Sequence, residues 1–328
     1  MKDNQKDIIA LSHQFPLVSI GVASYNNAHF VRYTLDSIRD QTYPNIQLII
    51  VDDQSKDDSV AVIENWIKEN QFPCTFIKNK KNTGVTTVCN KLLEKAEGKY
   101  FSFLASDDIY LPEKVEHHVN LLENQEPQVG MVYSDCVVID EKGKNIADSF
   151  YSFRGKNPSE MPSGNVFINL LKKNFITAPS VLLKKSVLIK AGGYDSNLIA
   201  EDYDLWLRIA KISTVQYDPR PLVKYRRHSS SVTAKVNYKL QEAHLQSLLK
   251  HIGYSDEADA IIKKRFKHKS VAVYSFLSKE KGIKWISKRY ELYKDPYSFI
   301  LKIMAKQRFN QRLFSYINYF FTKYVFNS

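Results

Sequence analysis

The chain has 328 residues and a mass of 38.0 kDa, enough for one large domain with an appendage or for two domains. Apolar residues make up 44% and charged residues 25%, which excludes a disordered or fibrous chain. No apolar run is long enough to span a bilayer, and Met1–Phe15 lacks the apolar core of a secretory signal. Cys74, Cys89 and Cys136 have no metal-site spacing, so reduced thiols in a cytoplasmic protein are expected. The net charge of +12 is unevenly placed: residues 235–328 carry 19 Lys/Arg against 7 Asp/Glu, and residues 1–234 balance to zero.

In chain order, Leu17–Ala23 is an apolar run suited to a buried strand. Asn26-Asn27 is suited to cap a helix over Ala28–Asp40, with Phe30, Val31, Leu35 and Ile38 at helical spacing. Tyr43-Pro44-Asn45 breaks the chain before a second strand, Ile46–Val51. Ser55–Asp58 offers caps and acidic first-turn residues to a helix carrying Val60, Ile63 and Ile67. Thr75–Ile77 reads as a third strand, Thr86–Ala96 as a helix stopped by Gly98, and Tyr100–Leu104 as a fourth strand. Strand and helix alternate about every 25–30 residues, which predicts a mainly parallel sheet with flanking helices.

Past residue 112 the rhythm changes. Val115–Leu122 reads as a helix and Val129–Ser134 as a strand, with a hairpin arm at Cys136–Asp140 turning through Glu141–Lys144. A helix over Val166–Leu171 and a strand over Ala178–Leu183 follow, then a Gly192-Gly193 turn and a helix over Glu201–Ala210. Thr214–Tyr217 and Leu222–Arg226 read as two short strands. Beyond Val232 only helical patterns remain, such as Leu240–Ile252 and Ala258–Phe266.

The fourth strand runs directly into Asp107-Asp108. Adjacent carboxylates repel unless a cation sits with them, and ligands of open α/β sheets bind at the carboxyl ends of strands. A hard divalent cation shared with substrate phosphates suits that placement. A cap for the helix beginning near Pro112 would need only one of the two. Tyr25, past the first strand, offers an aromatic face for a base, or is a partly exposed turn residue. Asp52-Asp53, ending the second strand, would accept hydrogen bonds from a ribose or base N–H, or would cap the next helix. Glu201-Asp202 taken alone is the acidic first turn of a helix carrying Leu205, Trp206 and Leu207, and His228 alone is a loop histidine.

Taken together, the stretches 18–59, 82–119, 191–210 and 225–233 resemble the family 2 glycosyltransferases, of GT-A fold, across about residues 17–232. They include Ala23-Ser24-Tyr25, Asp52-Asp53-Gln54-Ser55, Ser106-Asp107-Asp108, Gly192-Gly193-Tyr194-Asp195, Glu201-Asp202 and Tyr225-Arg226-Arg227-His228. The resemblance implies an α/β, Rossmann-like GT-A domain and an inverting transfer from a UDP-sugar to a glycan or lipid-linked glycan. It implies that Tyr25 stacks the base, that Asp53 bonds its N3–H, and that Asp52 supports that loop or the ribose, with Ala23 and Ser106 also at the nucleotide. Asp107, Asp108 and His228 would hold Mg²⁺ or Mn²⁺ against the diphosphate, Asp202 would be the general base, and Glu201 and Arg226 would support the acceptor side. Many relatives carry an acid where this chain has Ala105 or Ser106, so one ribose or metal contact is missing here. A GT-A module that binds glycan or membrane without transfer is the alternative this departure supports.

The expected organisation is an extension over residues 1–16, a GT-A domain over 17–232 and a basic helical segment over 233–328. In that segment Ile261–Lys269 is densely cationic, and Leu313, Tyr316, Ile317, Phe320, Phe321 and Tyr324 recur at helical spacing. Such a face suits an anionic membrane surface, or packs on the catalytic domain or on a second subunit as a homodimer. No nucleic-acid motif accompanies the charge. Arg154–Pro158 reads as a loop over the site.

Overall fold

The computed structural model describes residues 15–199, 201–229, 231, 238–307, 310–312, 314 and 316. The chain divides into two compact units, one holding Met1–Leu170, Phe175–Asn197 and Leu205–Ala234, the other Leu171–Asn174, Leu198–Asp204 and Lys235–Ser328.

In the first unit, β1 (Val18–Ser24), β2 (Ile46–Asp52), β3 (Cys74–Lys78) and β4 (Tyr100–Ala105) lie parallel in the order β3-β2-β1-β4. They are joined by α1 (Val31–Arg39), α2 (Ser59–Asn70) and α3 (Val85–Lys95). A parallel strand covered on both faces needs apolar residues on both faces. Val18, Ile20, Val22, Leu48, Ile50 and Leu104 are accordingly buried in one cluster with Val31, Leu35 and Ile38 of α1. Gly98 serves close approach rather than helix termination: a Cβ there would meet the Leu17 carbonyl at 2.6 Å, where the chain enters β4 beside β1.

Beyond β4 the sheet becomes mixed. β5 (Ile109–Tyr110), β6 (Val129–Ile139), β8 (Val181–Lys184) and β9 (Thr214–Arg226) extend it as β4-β8-β6-β9-β5, with β7 (Asn145–Ala147) paired to β6. β8 runs antiparallel to β4 and β6, β5 antiparallel to β9, and β6 parallel to β9. The mainly parallel arrangement expected from the first four strands holds there, and the antiparallel pairs all lie from β4 onward. Thr214–Tyr217 and Leu222–Arg226 are one strand, not two. Pro219 and Pro221 give no N–H to a ladder, yet the strand bulges across them, pairing Asp218 with Ser134 and Pro221 with Asp135. The hairpin arm forms as expected, with Val138 opposite Ala147. Ala178–Ser180 is a 3₁₀ turn leading into β8 rather than strand.

The helix α4 (Lys114–Asn124) packs under this sheet and buries Lys114 completely. Its Nζ donates to Ser102 Oγ at 2.8 Å and to the Val181 carbonyl at 3.1 Å, and lies 4.2 Å from the Tyr110 ring centre. Burial pushes the Lys114 pKa down from 10.5 to about 7. Between those values the unfolded chain holds a proton that the folded chain lacks, so stability should rise with pH from about 7 toward 10. Lys114→Met should flatten that rise by on the order of 3 kcal/mol. Urea titrations of both proteins at pH 7 and 9 measure it, and parallel pH responses would contradict it.

Along the chain follow α5 (Phe150–Phe153), α6 (Phe167–Lys172), α7 (Lys185–Lys190) and α8 (Glu201–Ala210), and the second unit contains α9 (Tyr238–Leu249), α10 (Asp256–Ala272), α11 (Lys279–Tyr293) and α12 (Pro296–Lys306). Three of these are capped by a side chain: Ser255 accepts from Ala258 N, Ser278 from Lys281 N and Asp295 from Ser298 N. Tyr274, Ile286, Tyr297, Leu301 and Phe314 form one core, and Leu245, Phe266, Val273 and Trp285 another. The basic stretch lies within α10 and is partly turned inward. Lys269 donates to Gln241 Oε1 at 2.6 Å and Lys267 lies 4.2 Å from the Tyr297 ring centre, while Lys263 and Lys264 face solvent. Of the aromatic stripe, Leu313, Ile317, Phe320, Phe321 and Tyr324 lie outside the described residues, and Tyr316 is exposed. No described helix is long and apolar enough to cross a membrane.

Candidate active site

The register of β1 sets the first unit's site. Ser24 is paired with Asp52 and Ala23 with Ala105, so Tyr25, Asp53 and Ser106–Asp107 all emerge at the carboxyl edge of three neighbouring strands. Asn26 and Gln54 follow at φ 53° and 65°, the left-handed region, and turn the chain directly after each strand. Asn26 stabilises its turn by accepting the Lys56 N–H at 2.7 Å. Tyr25 is 46% exposed there, with its ring open to a ligand.

The acidic residues have separate duties. Asp52 is buried and accepts from Ser24 Oγ at 3.1 Å, Ser55 N at 2.9 Å and Ser55 Oγ at 2.6 Å, so it holds the loop after β2. Asp53 accepts from Asn79 Nδ2 at 2.7 Å, Thr83 N at 2.9 Å, Thr83 Oγ1 at 2.8 Å and Gly84 N at 2.8 Å. These are the residues leading into α3, so the helix that Asp53 serves is not the one following its own strand. A base N–H reaching Asp53 would share a carboxylate whose four acceptor sites already have partners.

Asp107 and Asp108 diverge as well. The Asp107 carboxylate keeps 17% exposure and its Oδ2 lies 2.8 Å from His228 Nε2. Asp108 is buried and its Oδ1 accepts the Arg226 backbone N–H at 2.9 Å. Burial, and then the neighbouring Asp107, push the Asp108 carboxyl well above the ordinary aspartate range. Neither residue caps α4, whose N-cap Glu113 makes no side-chain cap bond. The turn is held from α1 by Thr34 Oγ1 donating to the Asp108 carbonyl at 2.8 Å, and from β9 by Arg226 Nε donating to the Asp107 carbonyl at 2.8 Å. Phe30 lies between the two β9-end side chains, 4.9 Å from the His228 ring and 4.9 Å from the Arg226 guanidinium carbon. Ser106 is buried and its Oγ accepts from Asn27 Nδ2 at 2.9 Å.

Among the described residues, no three His, Cys, Asp or Glu side chains gather as a metal site. Asp107 and His228 alone supply an outward carboxylate and an imidazole nitrogen. The carboxylate would suit a Mg²⁺- or Mn²⁺-type ion completing its shell with phosphate oxygens and water, and the imidazole nitrogen suits Mn²⁺ better than Mg²⁺.

Asp202 belongs to the second unit, in the first turn of α8 (Glu201–Ala210). It keeps partial exposure; Oδ1 accepts the Tyr203 N–H at 2.6 Å and Oδ2 faces Asn174 Nδ2 at 3.5 Å. Burial raises its carboxyl above the ordinary aspartate range against those two bonds. Tyr203 beside it is fully buried, bonded by Arg265, which also donates to the Leu171 carbonyl at 2.8 Å. Glu201 opens the same helix.

Four residues with clear duties escaped the sequence reading: Asn79 and Thr83 on Asp53, Asn27 on Ser106, and Phe30 between His228 and Arg226. Each acts on a partner at least 26 residues away, which no local periodicity records.

Comparison with known proteins identifies the family and the fold. The model of glycosyl transferase family 2 matches residues 19–188. A glycosyltransferase of Rickettsia typhi is 33% identical over 232 residues, 69% of each chain. One from Rickettsia felis is 32% identical over 233 residues, and there the match covers 70% of this chain but 37% of its longer relative. Among solved structures, the Staphylococcus aureus TarS fragment 1–349 bound to UDP-GlcNAc is similar at TM-score 0.66 and 14% identity, covering 94% of this chain and 92% of that one. The mannosyltransferase PcManGT of Pyrobaculum calidifontis, with GDP-Man and Mn²⁺, is similar at TM-score 0.58 and 18% identity, covering 93% and 85%. The fold is that of GT-A glycosyltransferases, and the chain belongs to glycosyl transferase family 2.

Proposed function

We propose that this glycosyltransferase moves a sugar from a UDP-sugar to a hydroxyl of a glycan or lipid-linked glycan, with inversion at the anomeric carbon. The observation that carries the reading is the Asp107–His228 pair at 2.8 Å, at a strand edge that also presents the open ring of Tyr25. Tyr25 stacks the base, Asp52 and Asp53 hold the two loops around it, and Ala23 and Ser106 shape the floor. Asp107 and His228 would hold the divalent ion. When bound, that ion neutralises charge developing on the leaving diphosphate. Asp108 acts one step back, fixing the Arg226 backbone and so the turn that carries Asp107.

Asp202 takes the proton of the acceptor hydroxyl as its oxygen attacks the anomeric carbon and the bond to the nucleoside diphosphate breaks. A sugar hydroxyl is a poor nucleophile without such a base. Burial around Asp202 raises its basicity, which favours proton uptake. One base and one direct displacement give inversion.

UDP release across a panel of donors, with and without EDTA, tests the proposal. Transfer from a UDP-sugar that chelator abolishes and Mg²⁺ or Mn²⁺ restores is the expected result. Undiminished activity in EDTA would remove the metal role from Asp107 and His228. Absence of turnover with every donor would favour the binding module that Ala105-Ser106 suggests. Anionic-membrane binding through residues 233–328 belongs to the same proposal, and rests on their concentration of all the net charge. Homodimerisation is the competing use of that segment.

A further inference from the structure

A cleft of about 540 Å³, lined by neither Tyr25 nor Asp53, opens in the first unit where the start of α1 meets β5 and the β6–β7 turn. Its volume falls in the usual range of small-molecule sites, roughly 300–1,000 Å³. Phe30, Tyr33, Lys142, Gly143, Lys224 and Arg226 line it. Tyr33 is 59% exposed, so its ring is available for stacking. The cleft's charged lining residues are mainly basic: Lys142, Lys224 and Arg226, with His29, against Glu141.

Arg226 is the informative member. It is 4% exposed, yet its guanidinium bonds only backbone carbonyls: Nε to Asp107, and Nη1 to Asp140 and Glu141 at 3.2 Å each. The Asp108 carboxylate accepts its backbone N–H, and the Asp107 and Asp108 charges act on the guanidinium through space without a hydrogen bond to it. Among the described residues Nη2 takes no hydrogen-bond partner, although Arg226 lines the cleft. A guanidinium held on one side by carbonyls, and left with a free N–H pair beside two lysines, is a receptor for an oxyanion. The exposed Tyr33 ring in the same lining suits the apolar face of a sugar ring.

We propose that this cleft binds a saccharide carrying a carboxylate or phosphate, with the oxyanion on Arg226, Lys142 and Lys224 and the sugar ring against Tyr33. Nothing in this binding depends on donor or metal. One consequence rests on the metal reading: Arg226 also holds the Asp107 carbonyl, so occupancy stiffens the turn bearing the proposed metal-binding carboxylate.

Calorimetric titration of the full chain with glucuronate, glucose 6-phosphate and glucose, without donor or metal, tests the binding. Both anionic sugars should bind saturably and glucose at least about tenfold more weakly, the factor expected for one charge-assisted hydrogen bond. The stronger of the two anions identifies carboxylate or phosphate as the natural group. Lys142→Glu and Lys224→Glu alter exposed or half-exposed side chains, so folding should be retained, as melting curves would check. Each should weaken the anion about tenfold or more, while UDP affinity stays as in the parent. Equal affinity for glucose and glucuronate would overturn the proposal, as would no saturable binding or anion affinity unchanged in both variants. UDP affinity is a separate reading, so failure here and failure of the donor site give different results.

Discussion

Asp202→Asn should lower kcat by about 10²–10⁴, the usual contribution of a positioned general base, and leave donor affinity near the parent value. Asn keeps the size of the side chain and can still accept the Tyr203 N–H, so the turn of α8 stays intact. What it loses is basicity. The pH profile supplies a second reading. Asp202 must be ionised to accept a proton, and burial raises its pKa, so activity should fall on the acid side at a pH above the ordinary aspartate range. In Asp202→Asn the residual rate should lose that acid limb. Retention of both rate and limb would move the base elsewhere.

The second large effect is expected at Asp107. Asp107→Ala removes the outward carboxylate and leaves His228 without its partner at 2.8 Å. Loss of one group stabilising charge in a transition state costs about 10²–10³ in kcat. His228→Ala should cost less, about 10–100-fold, if the imidazole both binds the ion and orients Asp107. The two residues touch, so the double variant should fall well short of the product of the single losses. Mn²⁺ titration of donor affinity in the three variants checks this. Fully multiplicative losses would mean that Asp107 and His228 serve different functions. Asp108→Asn offers a contrast, since its carboxylate meets the Arg226 backbone N–H and an amide oxygen can still accept that bond.

Comparison of Asp52 with Asp53, and of Asp107 with Asp108, shows where local reading stops. Each pair was legible as two carboxylates at a strand end, because apolar strand runs and their termini are local features. Which member faces the ligand was not legible. Asp52 is closed off by Ser24 and Ser55, Asp53 by Asn79, Thr83 and Gly84, and Asp108 by the Arg226 backbone. Most of those partners lie in other elements, brought in by strand order. The bulge in β9 is a similar case, since prolines that break a strand locally are accommodated where the strand bulges against its partner.

The sequence by itself determined the alternation of the first four strands with their helices, the family, the strand-end carboxylates and the concentration of charge in the last 94 residues. These follow from short-range periodicity and from composition. The tertiary structure decided that Asp107 rather than Asp108 is turned outward, that His228 meets it, and that Arg226 serves both the turn and a cleft. It also decided that Lys114 is buried beneath Ser102 and Tyr110 rather than solvated. The physical reason is that desolvation and hydrogen-bond partnership depend on which distant residues close around a group.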